Sequence, residues 1–127
     1  MIKKLMLLMF ITSVVYSQAK VITYKDVPFY ADSISQVLSV DKSDLHGLFV
    51  PKSLSENYTF QVSPDGTNFY SLVNVDSTLY TITIDSSQAS AIPLSEDIFK
   101  SWKHFKVLID NDITDTVNVK AILSGVR

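Results

Sequence analysis

Cysteine is absent from the 127-residue chain, and glycine occurs only three times. The first absence removes disulfides, zinc–thiolate and iron–sulfur sites, and any cysteine nucleophile. The second removes the glycine-rich loops that cradle phosphates, which need several positions without a side chain. Histidine is nearly as scarce, at His46 and His104 alone. Basic charge is in deficit: 11 Lys and Arg face 13 Asp and Glu, for a net charge of −2. A nucleic-acid surface carries the opposite balance, because it must displace counterions from phosphates. No nucleic-acid partner is expected.

What is present begins with an apolar leader. Met1-Ile2-Lys3-Lys4 is a short basic start, Leu5 to Tyr16 is an apolar run, and Ser17-Gln18-Ala19 supplies small residues. This is the three-part layout of a secretory signal peptide. Cleavage after Ala19 puts Ser17 and Ala19 at the two small positions, and cleavage after Ser17 puts Val15 and Ser17 there. The run of 12 residues is short for a spanning helix, which takes about 20. Residues 1–19 therefore read as a signal peptide or, alternatively, as a retained N-terminal apolar segment. No stable membrane insertion is expected once they are removed. The leader holds two Lys and no acid, so the remaining 108 residues carry a net charge of −4. Residues 20–127 are long enough for one domain with a modest core.

After the leader the apolar period is mostly two, that of a strand with one buried face. Tyr58, Phe60 and Val62 alternate with Thr59, Gln61 and Ser63. The same holds for Tyr80, Ile82 and Ile84, for Phe105, Val107 and Ile109, and for Val117, Val119 and Ala121. Earlier strand candidates are Val21–Tyr24, Ile34–Val40 and Leu45–Val50. Turns separate the runs. Ser63-Pro64-Asp65-Gly66-Thr67-Asn68 combines a preset φ, a self-bonding Asp and a Gly that accepts positive φ. It predicts a tight hairpin between Tyr58–Val62 and Phe69–Val73. Asn74–Ser77 reads as a second turn leading into Thr78–Ile84, and Asp110–Asp112 as a third. One segment breaks the rhythm: Leu94, Ile98, Phe99 and Trp102 have helical spacing, with Ser95 as a candidate cap and Glu96 and Asp97 suited to a helix start. The expected fold is all-β: a single antiparallel, jelly-roll-like sandwich of about seven or eight strands, with one short helical turn near 95–102.

The side chains that could carry chemistry are few. Asp44 and His46 would share a face of a regular strand, a weak acid–base or metal pair. His104 reads as an outward strand residue. Serine is plentiful, but no Gly-x-Ser-x-Gly elbow occurs. Asp110, Asp112 and Asp115 could offer oxygens to a hard cation, yet without the spacing or glycine of a calcium loop, so a solvated turn is expected. Trp102, Phe60, Phe69, Tyr70, Phe99 and Phe105 read as core rather than as a carbohydrate platform. Asn57-Tyr58-Thr59 fits an N-glycosylation pattern but opens a strand. No catalytic residue, cofactor site or metal site is expected, and the chain reads as a non-enzyme.

From Ser33 to the C-terminus the chain resembles a family of small phage virion proteins, of the head-decoration or head-fibre kind. Ser33–Leu38 is similar to that family's Ser-rich opening strand. Leu45-His46-Gly47-Leu48-Phe49-Val50-Pro51 is similar to its aliphatic-x-Gly-apolar-apolar-apolar-Pro strand end. The most specific piece is the Thr59-Phe60-Gln61-Val62-Ser63-Pro64-Asp65-Gly66 hairpin, followed by Phe69-Tyr70 and Leu72. Ile92-Pro93-Leu94, Phe99 and Trp102–Val107 follow in the family's order, with Ser101 where the family has Gly. The resemblance implies a β-sandwich located in the virion. It would act through contacts with capsid or fibre proteins, or with itself as a homo-oligomer. The leader implies the alternative, an exported, secreted or periplasmic, or cell-surface binding module.

Overall fold

Nested pairing organises the chain. The computed structural model describes residues 20–126, so the expected leader lies outside the described residues. The strands are β1 (Lys20–Tyr30), β2 (Leu38–Ser39), β3 (Asp44–Val50), β4 (Asn57–Ser63), β5 (Tyr70–Ser71), β6 (Ile82–Thr83), β7 (Ser90–Pro93), β8 (His104–Ile109) and β9 (Thr116–Val126). One helical turn, α1 (Glu96–Phe99), joins β7 to β8. Every ladder is antiparallel. The chain pairs as a long hairpin would: β4 with β5 and β6 at the centre, then β3 with β7, β2 with β8, and β1 with β9. This hairpin is folded over itself, giving one sheet ordered β1-β9-β3-β7 and a second ordered β2-β8-β4-β5, with β6 also on β4. That is jelly-roll connectivity, two sheets closing on one core. The expected all-β sandwich is the observed fold.

The period-two runs fill that core. Tyr58, Phe60 and Val62 of β4 face inward opposite Ile109, Val107 and Phe105 of β8, and all six are buried. Such directly opposed apolar pairs are the unit of sheet stabilisation. The first sheet contributes Val27 and Phe29 from β1, Leu45, Leu48 and Val50 from β3, and Val119, Ala121 and Leu123 from β9. Phe99 of α1 closes the core as a fully buried plug. Its ring lies 5.0 Å from Phe60 at 75°, 5.7 Å from Tyr80 and 5.8 Å from Phe105.

The central turn is built as its residues require. Asp65 accepts hydrogen bonds from the Thr67 and Asn68 N–H groups, each at 2.9 Å, and from the Asn68 side chain. Gly66 takes φ +78° and donates its N–H to Ser63 Oγ at 2.9 Å.

Five expectations are corrected in detail. The strand expected over Val21–Tyr24 runs on to Tyr30, through Pro28. Proline is tolerated there because the missing N–H faces the sheet edge; the Pro28 carbonyl accepts the Gln36 N–H at 2.9 Å. Ile34–Val40 is a ladder only at Leu38–Ser39. Before it, the Ser35 hydroxyl stands in for a carbonyl by accepting the Val107 N–H at 2.9 Å. Phe69–Val73 and Thr78–Ile84 shrink to β5 and β6. Between them the chain leaves the β4 edge as a side hairpin: Val73 bridges Leu79, and Asn74 N–H donates to Thr78 O at 2.7 Å. Ser95 does not cap α1 with its side chain; its carbonyl instead accepts the Ile98 and Phe99 N–H groups at 3.2 and 3.1 Å.

Because Phe99 touches aromatic rings from β4 and β8 and from the segment before β6, its loss leaves a cavity shared between elements. Phe99→Ala is expected to cost about 3–5 kcal/mol of stability. A lowered urea midpoint at unchanged slope checks this.

Candidate functional site

The side chains weighed from the sequence do not converge. A register shift between Leu45 and Gly47 interrupts the β3–β9 ladder at His46. The expected regular alternation of Asp44 and His46 is therefore broken. Asp44 pairs with Lys103 Nζ at 3.4 Å, whereas His46 Nδ1 lies 3.7 Å from Glu96 Oε1 at the start of α1. His104 is on the outer face of β8, as its phase requires, but is half-buried. Its Nδ1 hydrogen-bonds Ser39 Oγ at 2.8 Å, and a Cβ placed on Gly66 would meet its ring at 3.3 Å. The imidazole thus links β2 to the central turn.

Asp110 holds the β3–β4 connection. Its carboxylate accepts from the Ser55 hydroxyl and, at 2.8 Å, from Asn57 Nδ2. Asn57 also accepts the Thr83 hydroxyl at 2.7 Å, so both ends of the amide are engaged in folding bonds. The Tyr58 hydroxyl is buried beside this cluster, and burial pushes its pKa up to about 12. Among the described residues no three His, Cys, Asp or Glu side chains come together as a metal set. The aromatics divide. Phe60, Phe99 and Phe105 are core and Trp102 packs against it, while Phe69 lies under Lys106 Nζ at 4.5 Å from its ring centre. Tyr70 is exposed.

What does stand out is the outer face of the four-stranded sheet. Register sets Tyr24 of β1, Ile122 of β9, Gly47 of β3 and Pro93 of β7 in one row across all four strands. Gly47 is the floor of an open groove of about 170 Å³ lined by His46, Gly47, Ala91, Ile92, Pro93 and Ile122. A Cβ on Gly47 would meet the Ile92 carbonyl oxygen at 2.8 Å and Ile122 Cδ1 at 3.1 Å, so glycine is required for β7 to approach this closely. Beside the groove Tyr24 and Phe49 pack ring to ring at 6.0 Å, although they are 58% and 43% exposed. Ile22, 47% exposed, extends the patch along β1. Polar groups frame it: Lys120 lies 3.9 Å from Asp26, the Asp44–Lys103 pair lies along β3, and the His46 ring faces the Glu96 carboxylate. An apolar patch with a polar rim on one face of a small sandwich is suited to contact with another protein surface.

This patch was missed in the sequence, where Ile22 and Tyr24 are simply strand residues. The signal available was phase: both share the phase of Asp26 and are out of phase with the buried Val27 and Phe29, so their apolar side chains belong to the outward set. Phe49 is likewise out of phase with the buried Leu48 and Val50.

No family model, curated protein or solved structure matches the chain.

Two outcomes follow from this geometry. Gly47→Ala should force β3 and β7 apart and cost about 1–3 kcal/mol, read as a lowered thermal midpoint. The second concerns acid. Hydrogen bonds hold the carboxyls of Asp65, Asp76, Asp85 and Asp110 below their ordinary value of 3.8. A carboxyl whose pKa is lower in the folded state stabilises the fold above its unfolded pKa, and that contribution is lost as pH falls through the folded value. Urea midpoints should therefore hold level down to about pH 5 and fall below about pH 4. Asp65→Asn should make that acid fall shallower.

Proposed function

We propose that the protein is a non-enzymatic structural module of a phage virion, a capsid-decoration or head-fibre component that acts through protein–protein contacts. The observation that carries this reading is the apolar outer face formed by Ile22, Tyr24, Phe49 and Ile122. It is presented by a sandwich many of whose polar side chains are engaged in holding turns and strand ends. Jelly rolls recur in capsid proteins, and the segments that resemble small virion proteins fall on the β3 strand end, the β4–β5 hairpin and the α1–β8 junction. Fold likeness alone does not fix function, so the apolar face is the feature to test.

The decisive experiment is mass spectrometry of density-purified particles from the strain that carries the gene. The chain should be present at a fixed ratio to the major capsid protein. Finding it only in the supernatant of uninfected cultures, and never in particles, would overturn the reading. Tyr24→Asp combined with Phe49→Asp should keep the β-sheet circular dichroism and lose co-sedimentation with particles.

A second reading, an exported surface or periplasmic binding module, is favoured by the leader layout of Met1–Ala19. Intact mass of the natively produced protein separates the two. A chain starting at Gln18 or Lys20 supports export, and one starting at Met1 removes that support.

A further inference from the structure

Among the described residues the four-stranded sheet ends in β1, the longest strand together with β9, and the N-terminal half of β1 is an open edge. The orientation of its backbone follows from three facts. The Pro28 carbonyl accepts the Gln36 N–H at 2.9 Å, so residue 28 directs its backbone groups away from β9. Proline 28 has no N–H to give the ladder, as that orientation requires. The β1–β9 register runs without a shift from Lys20↔Val126 to Tyr30↔Thr116. In an unbroken antiparallel ladder the orientation alternates, so Ile22, Tyr24 and Asp26 also present N–H and C=O to the free edge. Beyond Pro28 the chain turns away to the second sheet and covers the edge through Gln36. Before it, the outward backbone groups of Ile22 and Tyr24 lie beside their own exposed apolar side chains.

We propose that this edge is a homodimer interface, in which β1 pairs antiparallel with β1 of a second copy about a twofold axis at Thr23. The inference does not depend on whether the protein works in a virion. Sequence chooses both the occupant and the register. Edge pairing needs an extended strand with matching outward groups, and β1 is its own complement. With the axis at Thr23, Ile22 falls opposite the second copy's Tyr24, and Tyr24 opposite the second copy's Ile22. Apolar pairs of this kind stabilise a sheet. An axis at Lys25 would place Lys25 against itself, and an axis at Asp26 would place Asp26 against itself, and like charges directly opposed are destabilising. The result is isologous and closed, one sheet of eight strands, and the apolar face of Tyr24, Phe49 and Ile122 becomes continuous across both copies. Long, unguarded edges of this type are the ones that pair. Pro28 and the Gln36 contact protect only the other half of the strand, and Lys25 is drawn toward β2, its Nζ donating to the Ser39 carbonyl at 3.2 Å.

The absence of cysteine makes the register directly testable. At the axis the two Thr23 residues form a non-hydrogen-bonded pair with Cα atoms about 4.5 Å apart, within disulfide range. In the full chain, Thr23→Cys should give a disulfide-linked dimer under mild oxidation. Val21→Cys and Lys25→Cys should each remain uncrosslinked alone, and cross-link when the two variants are mixed. Sedimentation of the unmodified chain should show twice the monomer mass. Ile22→Pro, which removes one outward N–H from an edge that already holds Pro28, should give monomer with unchanged thermal midpoint. A monomer at every concentration tested overturns the proposal. So does Thr23→Cys cross-linking no faster than a control Ala91→Cys on the opposite edge strand. A dimer that survives Ile22→Pro and lacks the mixed Val21–Lys25 cross-link assigns the contact to another surface and equally overturns it.

Discussion

The edge-to-face contact between Phe99 and Phe60, 5.0 Å between ring centres, is the interaction on which the sandwich depends. Phe99 belongs to the single turn α1, which carries the chain from β7 in one sheet to β8 in the other. A four-residue helix has no intrinsic stability to speak of, since nucleation is costly and too few bonds follow it. Nor does Ser95 cap it with a side chain. The turn is held by its buried ring. That ring in turn meets Phe105 at the first residues of β8 and Tyr80 just before β6, so one side chain fixes the sheet crossing, the start of β8 and the approach of the side hairpin. Aromatic contacts of this geometry add to area burial, which matters in a domain whose core is modest.

The two sheets make different use of their outer faces. On the five-stranded sheet that face is largely polar and occupied, with Ile34 beside Leu108 as its apolar part. His104 ties to Ser39, Asn57 to Asp110 and Thr83, and Lys106 rests on Phe69. The four-stranded sheet keeps an apolar row across Tyr24, Ile122 and Pro93, with Gly47 as the gap between them. The asymmetry has a physical source. Hydrogen-bonded polar side chains on the first face stiffen loops within the same molecule, whereas apolar groups on the second gain stability only when another surface removes them from water. The sandwich is thus more nearly finished on one side than on the other, and the less finished side adjoins the open half of β1.

Much of this architecture is legible in the sequence because it rests on local rules. The alternation through Tyr58–Val62 and Phe105–Ile109 places six buried side chains correctly, and the Asp65-Gly66 turn fixes the hairpin between β4 and β5. The helical spacing of Leu94, Ile98, Phe99 and Trp102 locates α1. Illegible parts depend on partners distant in the chain. Nothing near Ser35 shows that its hydroxyl will replace a ladder carbonyl for Val107, 72 residues away. Nothing near His46 shows that the β3–β9 register will slip there and part it from Asp44. The apolar face escaped for a related reason. A half-buried strand is recognised by its inward residues, and outward Ile22, Tyr24 and Phe49 look like more of the same until pairing to β9 assigns the phases.

The shortage of glycine explains the acidic excess. A fold of nine strands needs many turns, and with three Gly it must close them by other means. It uses aspartate. Asp32 accepts the Ser33 N–H at 2.7 Å, Asp65 those of Thr67 and Asn68, Asp76 that of Thr78 at 3.1 Å, and Asp85 that of Ser87 at 2.9 Å. An ionised carboxylate is a stronger acceptor for a backbone N–H than a neutral group, and short polar side chains fold back on their own turn. Each turn closed in this way adds a negative charge. The net charge of the domain is therefore in large part a by-product of loop construction and not a field aimed at a ligand. The same economy makes the loops depend on ionisation, so several of them weaken together when the carboxylates take up protons.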